Sequence, residues 1–270
     1  MSSKEFNIRS RISIFCKTAL GILGLAFFFS AHAALQDEIQ VYTDEINEPG
    51  EYGLELHVNG TPKGNTTPAY PGELPSHHSL RLTPEFSLGL TRTTEIGLYV
   101  PTVRAADGAF YGAGLKLRLK WLPVQADEDG GFFAGMNFEL GQVGQRFSES
   151  PRGAEIRNIL GWRNAQWLAV VNPILGVDVS RGYSHAPMLE LATKINRKVG
   201  ESTAIGWERY SEMGPLRQMF PGAQQSRVNY LVVDHEGATL DYSVGVGKGN
   251  LLADKWTVKA IIGYSFGRRS

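Results

Sequence analysis

The sequence predicts an all-β fold: an antiparallel up-and-down transmembrane β-barrel of about 12 strands, set in a bacterial outer membrane. Three observations carry this expectation. Short segments alternate apolar and polar residues with period 2. Each runs about 10–14 residues, longer than the usual strand of a water-soluble protein. The connections between them alternate between long and short.

The chain opens with a basic head, Lys4, Arg9, Arg11 and Lys17. An uncharged apolar run follows from Ala19 to Phe29 and then Ala31-His32-Ala33. The run is too short for a membrane helix, which needs ~20 residues. Residues 1–33 therefore read as a secretory signal peptide, cleaved after Ala33. The single cysteine, Cys16, lies inside it, so the exported chain has no disulfide and no thiolate chemistry. Residues 34–49 are assigned to an N-terminal periplasmic segment. The pattern leaves open whether this segment plugs the lumen or adds a strand.

Residues 50–270 are assigned to the barrel. Successive side chains of a strand point to opposite faces, and the alternation is plain. Tyr52, Leu54, Leu56 and Val58 oppose Glu51, Gly53, Glu55 and His57. Leu80, Leu82, Phe86, Leu88 and Leu90 oppose Arg81, Thr83, Glu85, Ser87 and Gly89. Leu115, Leu117, Leu119 and Trp121 oppose Lys116, Arg118 and Lys120. Phe132, Ala134, Met136, Phe138 and Leu140 form another apolar face, and Leu240, Tyr242, Val244 and Val246 a further one. In the last segment Trp256, Val258, Ala260, Ile262, Tyr264 and Phe266 share one face. The twelve segments fall near 50–60, 77–90, 94–103, 110–122, 131–143, 153–163, 166–180, 186–197, 201–211, 225–234, 237–247 and 255–266. With the N-terminus in the periplasm, odd-numbered connections lie outside and are the longer ones. Gly60 to Ser76 and Glu212 to Gln224 fit this, as do the short links at Thr91–Thr93, Asn164-Ala165 and His235-Glu236. Pro123 to Gly130 is an exception, a long acidic segment where a short turn is expected. Either that turn is long or a strand is miscounted there.

A sheet in lipid must close, because an open edge leaves unpaired backbone groups in hydrocarbon. The alternation then sends apolar residues to lipid and polar ones to the lumen. The candidate lumen-facing residues are Glu51, Glu55, Arg81, Glu85, Glu95, Lys116, Arg118, Lys120, Glu139, Arg157, Glu190, Lys194, Arg227, Asp241 and Lys259, with Glu155, Asp178 and Glu208 beside them. Both signs are interspersed. A water-filled pore with charge-biased selectivity and a plugged barrel of paired charges are both compatible with that list.

Other chemistries find little support. The mature histidines are His57, His77, His78, His185 and His235. Asp234 and His235 are strand neighbours and point apart, and G-x-S-x-G is absent. No catalytic, cofactor-binding or metal residue is assigned. The in-strand glycines lack the strand–GxGxxG–helix setting of a dinucleotide site. Formal net charge is zero and no basic block or zinc spacing is present, so nucleic acid is not an expected partner. The expected partners are outer-membrane lipids, a small-molecule solute and the outer-membrane assembly machinery. Barrels of this kind commonly end on an aromatic residue, whereas here Gly267-Arg268-Arg269-Ser270 follows Phe266.

The start of the mature chain carries a family resemblance. Gln36-Asp37-Glu38-Ile39-Gln40-Val41-Tyr42 is followed by Ile46-Asn47-Glu48-Pro49-Gly50 and Gly53-Leu54-Glu55-Leu56-His57. His77-His78, Leu82-Thr83-Pro84-Glu85-Phe86 and Gly97-Leu98-Tyr99 come later. This stretch resembles outer-membrane proteins of the "MetA-pathway of phenol degradation" family. The resemblance implies an outer-membrane channel for small, often aromatic or apolar compounds, and supplies no catalytic residue. The expected function is passive transport of small solutes. A plugged structural or ligand-binding barrel is the alternative, and an integral outer-membrane hydrolase a minor one.

Overall fold

The computed structural model describes residues 38–237 and 239–267. The expected signal peptide and residues 34–37 lie outside them. Twelve strands form one closed antiparallel barrel. They are β1 (Glu51–Lys63), β2 (Leu80–Thr91), β3 (Thr94–Tyr99 resuming as Thr102–Arg104), β4 (Phe110–Gly112 resuming as Gly114–Val124), β5 (Gly131–Val143) and β6 (Arg152–Arg163). Then come β7 (Trp167–Asp178), β8 (Met188–Lys198), β9 (Thr203–Pro215), β10 (Ser226–His235), β11 (Asp241–Gly249) and β12 (Trp256–Gly267). Each strand pairs with its sequence neighbours, and β1 closes the circle by pairing with both β2 and β12. No edge is left unpaired, as closure in lipid demands. The break in β3 sits at Pro101, which has no N–H to donate. The ladder bridges it, with Val100 N–H donating to the Pro84 carbonyl at 3.0 Å.

The apolar face points outward. Leu115, Leu117, Leu119 and Trp121 are exposed, whereas Lys116, Arg118 and Lys120 between them are buried. The same inversion of a water-soluble fold recurs along β1, β2, β5 and β12, where Leu54, Phe86, Phe138, Leu140, Val258 and Ile262 are exposed. An exposed apolar surface that wraps a closed barrel is matched to hydrocarbon rather than to water.

The long acidic connection after β4 is a genuine turn. Gln125 to Gly130 joins β4 directly to β5, closed by an isolated bridge between Asp127 and Gly130. No strand is hidden there, and the strand segments read from the sequence stand.

The segment assigned to the periplasm behaves differently. Pro49-Gly50 makes a tight turn, with Gly50 at φ +84° and the Glu51 N–H bonded to the Glu48 carbonyl at 2.9 Å. Proline then glycine at the two central positions is the composition of a type II turn. It folds residues 38–49 back into the barrel, where Glu38, Val41, Tyr42 and Thr43 are buried. At Gly89 of β2 a side chain would collide with the carbonyl oxygens of Asn47 and Glu48, so only glycine admits this strap against the wall. The strap adds no strand to the sheet.

Candidate functional site: the barrel interior

The interior has two walls of different character. On one side, from β1 to β5, charged groups form chained pairs. His57 Nε2 lies 3.2 Å from Glu85, whose other oxygen meets Arg118 at 2.7 Å. Arg118 also reaches Glu95 at 2.5 Å. Lys116 holds Glu139 at 3.0 Å. Across the lumen Lys194 bonds Asp234 at 2.7 Å, and Glu208 joins Lys259 at 2.5 Å. Every one of these groups except Asp234 is buried, and opposite charges in contact offset part of the cost of taking them from water.

The other wall is apolar. Phe133, Ile159, Val170, Ile174 and Ala192 from β5 to β8 form a cluster with the strap's Val41 and Tyr42. The Phe133 ring fills the space beside Gly161, where any side chain would run into it. Sequence alternation assigned polar residues to the lumen, and the inward positions of β6 to β10 depart from it. Tyr230 and Val232 bury inward on β10.

That departure corrects one expected lumen residue. Arg227 shares its face with Asn229 and exposed Leu231, opposite to Tyr230 and Val232, so it points outward. Glu85, Glu95, Lys116, Arg118, Lys120, Glu139, Arg157, Lys194 and Lys259 are buried inside. Glu51, Glu55 and Asp241 line the mouth at the short-turn end. Arg81 and Glu190 are half-buried on the inward parity of β2 and β8.

The strap is held from all sides. Lys116 pairs with Glu38 at 2.9 Å. Lys259 of β12 donates to the Ile39 carbonyl and Arg157 of β6 to the next carbonyl, Gln40, both at 3.0 Å. Strands 6 and 12 are diametrically opposed in a twelve-strand ring, so consecutive peptide groups bridge the bore. Asn172 brackets the Tyr42 backbone, and the Tyr42 and Tyr99 hydroxyls meet at 2.6 Å. Nearer the mouth Arg163 pairs with Asp44 at 2.7 Å, Lys120 bonds the Glu45 carbonyl, and Glu95 accepts from Asn47 N–H at 2.8 Å. Burial works against the Glu38 charge, but Lys116 and Arg157 outweigh it and hold the carboxyl at about 2. Glu45 is exposed to the cavity, yet enclosure by the barrel walls raises its carboxyl, only partly offset by Lys120 and Lys194.

Between the strap and the barrel wall lies a cavity of about 640 Å³. It opens at the short-turn end and is lined by Glu45, Glu51, Glu55, Asp234 and Asp241 together with Lys194, Lys198 and Lys259. At the far end the loop after β1 folds over the barrel rim. Leu74 N–H bonds the Arg146 carbonyl at 2.9 Å, and Ser76 bonds Asp254 at 2.5 Å.

Glu38, His57 and Glu85 bring three possible ligand atoms within 4.8 Å of one another. Lys116 and Arg118 already occupy the two carboxylates, so the donor set fits ion pairing better than a metal. The hydrolase candidates lie elsewhere. The His77 and His78 rings meet at a tilt in the first loop, their centres 3.9 Å apart, and His235 contacts Thr203 at 3.1 Å and stacks on Tyr242. Neither joins the buried ion pairs, although His235 lines the cavity mouth.

Neither a family model nor a curated protein sequence matches this chain, so the finer resemblance read from residues 36–100 gains no support. Solved structures do share the fold. An outer membrane channel from Pseudomonas putida F1 aligns with TM-score 0.53 at 10% identity, covering 85% of this chain and 100% of that one. KdgM porin, in a complex with disordered oligogalacturonate, aligns at 0.52 and 10% identity over 80% of this chain and 99% of its own. NanC porin aligns at 0.50 and 10% identity over 80% and 100%. At this identity the likeness is one of fold: the barrel is built as outer-membrane barrels are.

Sequence reasoning missed the strap's path and the apolar wall. One signal was present: Asn172 is the only polar side chain between Leu168 and Leu175, and it is the residue that grips Tyr42.

Proposed function

We propose that this protein is a passive channel of the bacterial outer membrane for small solutes, with residues 38–49 setting its bore. The observation that carries the reading is the way the strap is attached. It crosses the lumen without joining any strand ladder and is held by side chains at separate points. A segment held in this way narrows a hydrated lumen and can be displaced without opening the barrel. The mixed-charge cavity below it is open to the periplasmic mouth. The apolar wall of Phe133, Ile159 and Ile174 is covered by the strap's Val41 and Tyr42, and it would face a solute only when the strap is displaced.

The burial of Val41 and Tyr42 in that wall favours a second reading, a closed barrel with a structural or ligand-binding role. Planar-bilayer recording separates the two. A conducting full-length protein whose conductance rises when Tyr42→Ala loosens the strap supports the channel. Silence from both proteins, each shown to be folded by a heat-modifiable gel band, overturns it.

A further inference from the structure

The outward face is not uniformly apolar. In register across neighbouring strands, Arg209 of β9 lies opposite Asn229 of β10, Asn229 opposite Lys248 of β11, Lys248 opposite Trp256 of β12, and Trp256 opposite Lys63 of β1. Arg227 lies opposite Ser211, two residues along β10 from Asn229 on the same face. Their apolar neighbours on this face, Trp207, Leu231, Val246 and Val258, are exposed toward lipid.

This row is basic without compensation. Among the described residues, the outward positions of β9 to β12 and β1 carry no Asp or Glu. The contacts of these cations are neutral: Arg209 Nε to Ser211 at 3.3 Å, Arg227 to Gln225 at 2.6 Å, and Lys248 Nζ 5.6 Å from the centre of the Trp256 ring. The Arg227 Nε is buried without a hydrogen-bond partner, so the terminal nitrogens of this guanidinium are the ones left to meet a ligand. The charges of the interior, by contrast, are nearly all matched with opposite charges.

A cation facing hydrocarbon is costly, and less so where it reaches the headgroup region. Lys63, Lys248 and Trp256 sit at or next to the strand ends that carry the longer loops, the outer side of the membrane by loop length. Guanidinium groups bind phosphate through paired N–H donors. A second copy of this chain is a poor occupant, since a two-fold contact would set the patch against itself. The row spans three strand spacings from Arg209 to Trp256, roughly 15 Å. That is wider than one phosphodiester needs and suits a headgroup carrying two phosphates on a sugar.

We propose that the β9–β12 face binds a phosphorylated glycolipid of the outer leaflet, with Arg209, Arg227, Lys248 and Lys63 meeting its phosphates beside Trp256. The inference uses the membrane placement of the barrel and is independent of transport.

The test is native mass spectrometry of the purified full-length protein in zwitterionic detergent. It would be titrated with diphosphorylated lipid A, with its dephosphorylated form and with phosphatidylglycerol. Retention of the diphosphorylated lipid at concentrations where the other two are lost is the expected result. The triple variant R209Q/R227Q/K248Q should bind it at least tenfold more weakly, and R209K/R227K/K248R should recover most of the affinity. Each variant is checked by its heat-modifiable band, and bilayer conductance should not change. Equal binding of the dephosphorylated lipid or of phosphatidylglycerol, or unchanged affinity in the folded glutamine variant, overturns the proposal. Loss of the heat-modifiable band in the glutamine variant moves the test to single substitutions at Lys248 and Arg227, where undiminished binding also overturns it.

Discussion

Asn172 grips the backbone of Tyr42 at both ends of one residue. Its side-chain oxygen accepts the Tyr42 N–H at 2.8 Å, and its side-chain nitrogen donates to the Tyr42 carbonyl at 3.1 Å. A primary amide thus imitates the pair of bonds a neighbouring strand would make, 130 residues away in sequence. Replacing Asn172 by Ala leaves a buried peptide group without partners, and each lost bond costs about 1 kcal/mol. Single-channel recording of Asn172→Ala should show a larger and noisier conductance than the parent. Protease added from the short-turn side should cut the strap faster. Parental conductance with parental protection would mean that the strap is held without this bracket.

Gly89 offers a steric version of the same experiment. Gly89→Ala places a methyl where the Asn47 and Glu48 carbonyls pass. The strap should be pushed off β2 while the barrel still assembles. Gly112→Ala is the control, because nothing lies within 4 Å of the atom it adds. Raised conductance in the first and not in the second is the expected pair of results.

Lys116 neutralises two acids at once, Glu38 at 2.9 Å and Glu139 at 3.0 Å. Lys116→Met strands both carboxylates in a buried site. Removing one partner of a buried pair costs about 3–5 kcal/mol. The temperature at which the compact gel band is lost should fall clearly. Adding Glu139→Gln should recover part of the loss, and a Lys116→Met protein as heat-resistant as the parent would contradict the pairing.

Two carboxyls on the strap respond to pH in opposite senses. The raised Glu45 carboxyl means that ionisation opposes docking. Docking therefore strengthens as pH falls from above its raised value toward the ordinary carboxylate value of 4.5. The depressed Glu38 carboxyl favours docking above 4.5, and that contribution is lost as pH falls toward about 2. Conductance should decline on mild acidification, and Glu45→Gln should flatten that decline. An unchanged pH profile in Glu45→Gln would assign it to another group.

How far the sequence reveals this molecule depends on whether the two faces of a strand differ. From Leu115 to Trp121 three cations alternate with four large apolar residues, and the inward face is legible at sight. On β10 polar and apolar residues are mixed on both faces. Tyr230 and Val232 pack inside while Leu231 meets lipid, so a rule that sends polar groups inward misplaces Arg227. The strap was illegible for another reason. Its contacts are scattered side-chain bonds from β1, β2, β3, β4, β6, β7 and β12, brought together only by closure of the ring. No local periodicity encodes them.

The direction of the strap has a consequence for how the molecule is made and handled. Glu38 sits deeper in the bore than Asn47, so the strap, followed from residue 49 back to residue 38, runs inward from the short-turn mouth. During biogenesis the strap must be inside when the last seam, β12 against β1, zips shut, or be drawn in afterwards through the short-turn mouth. A folded partner fused ahead of residue 38 has no such passage. Reporter domains attached there should leave a barrel whose strap never seats.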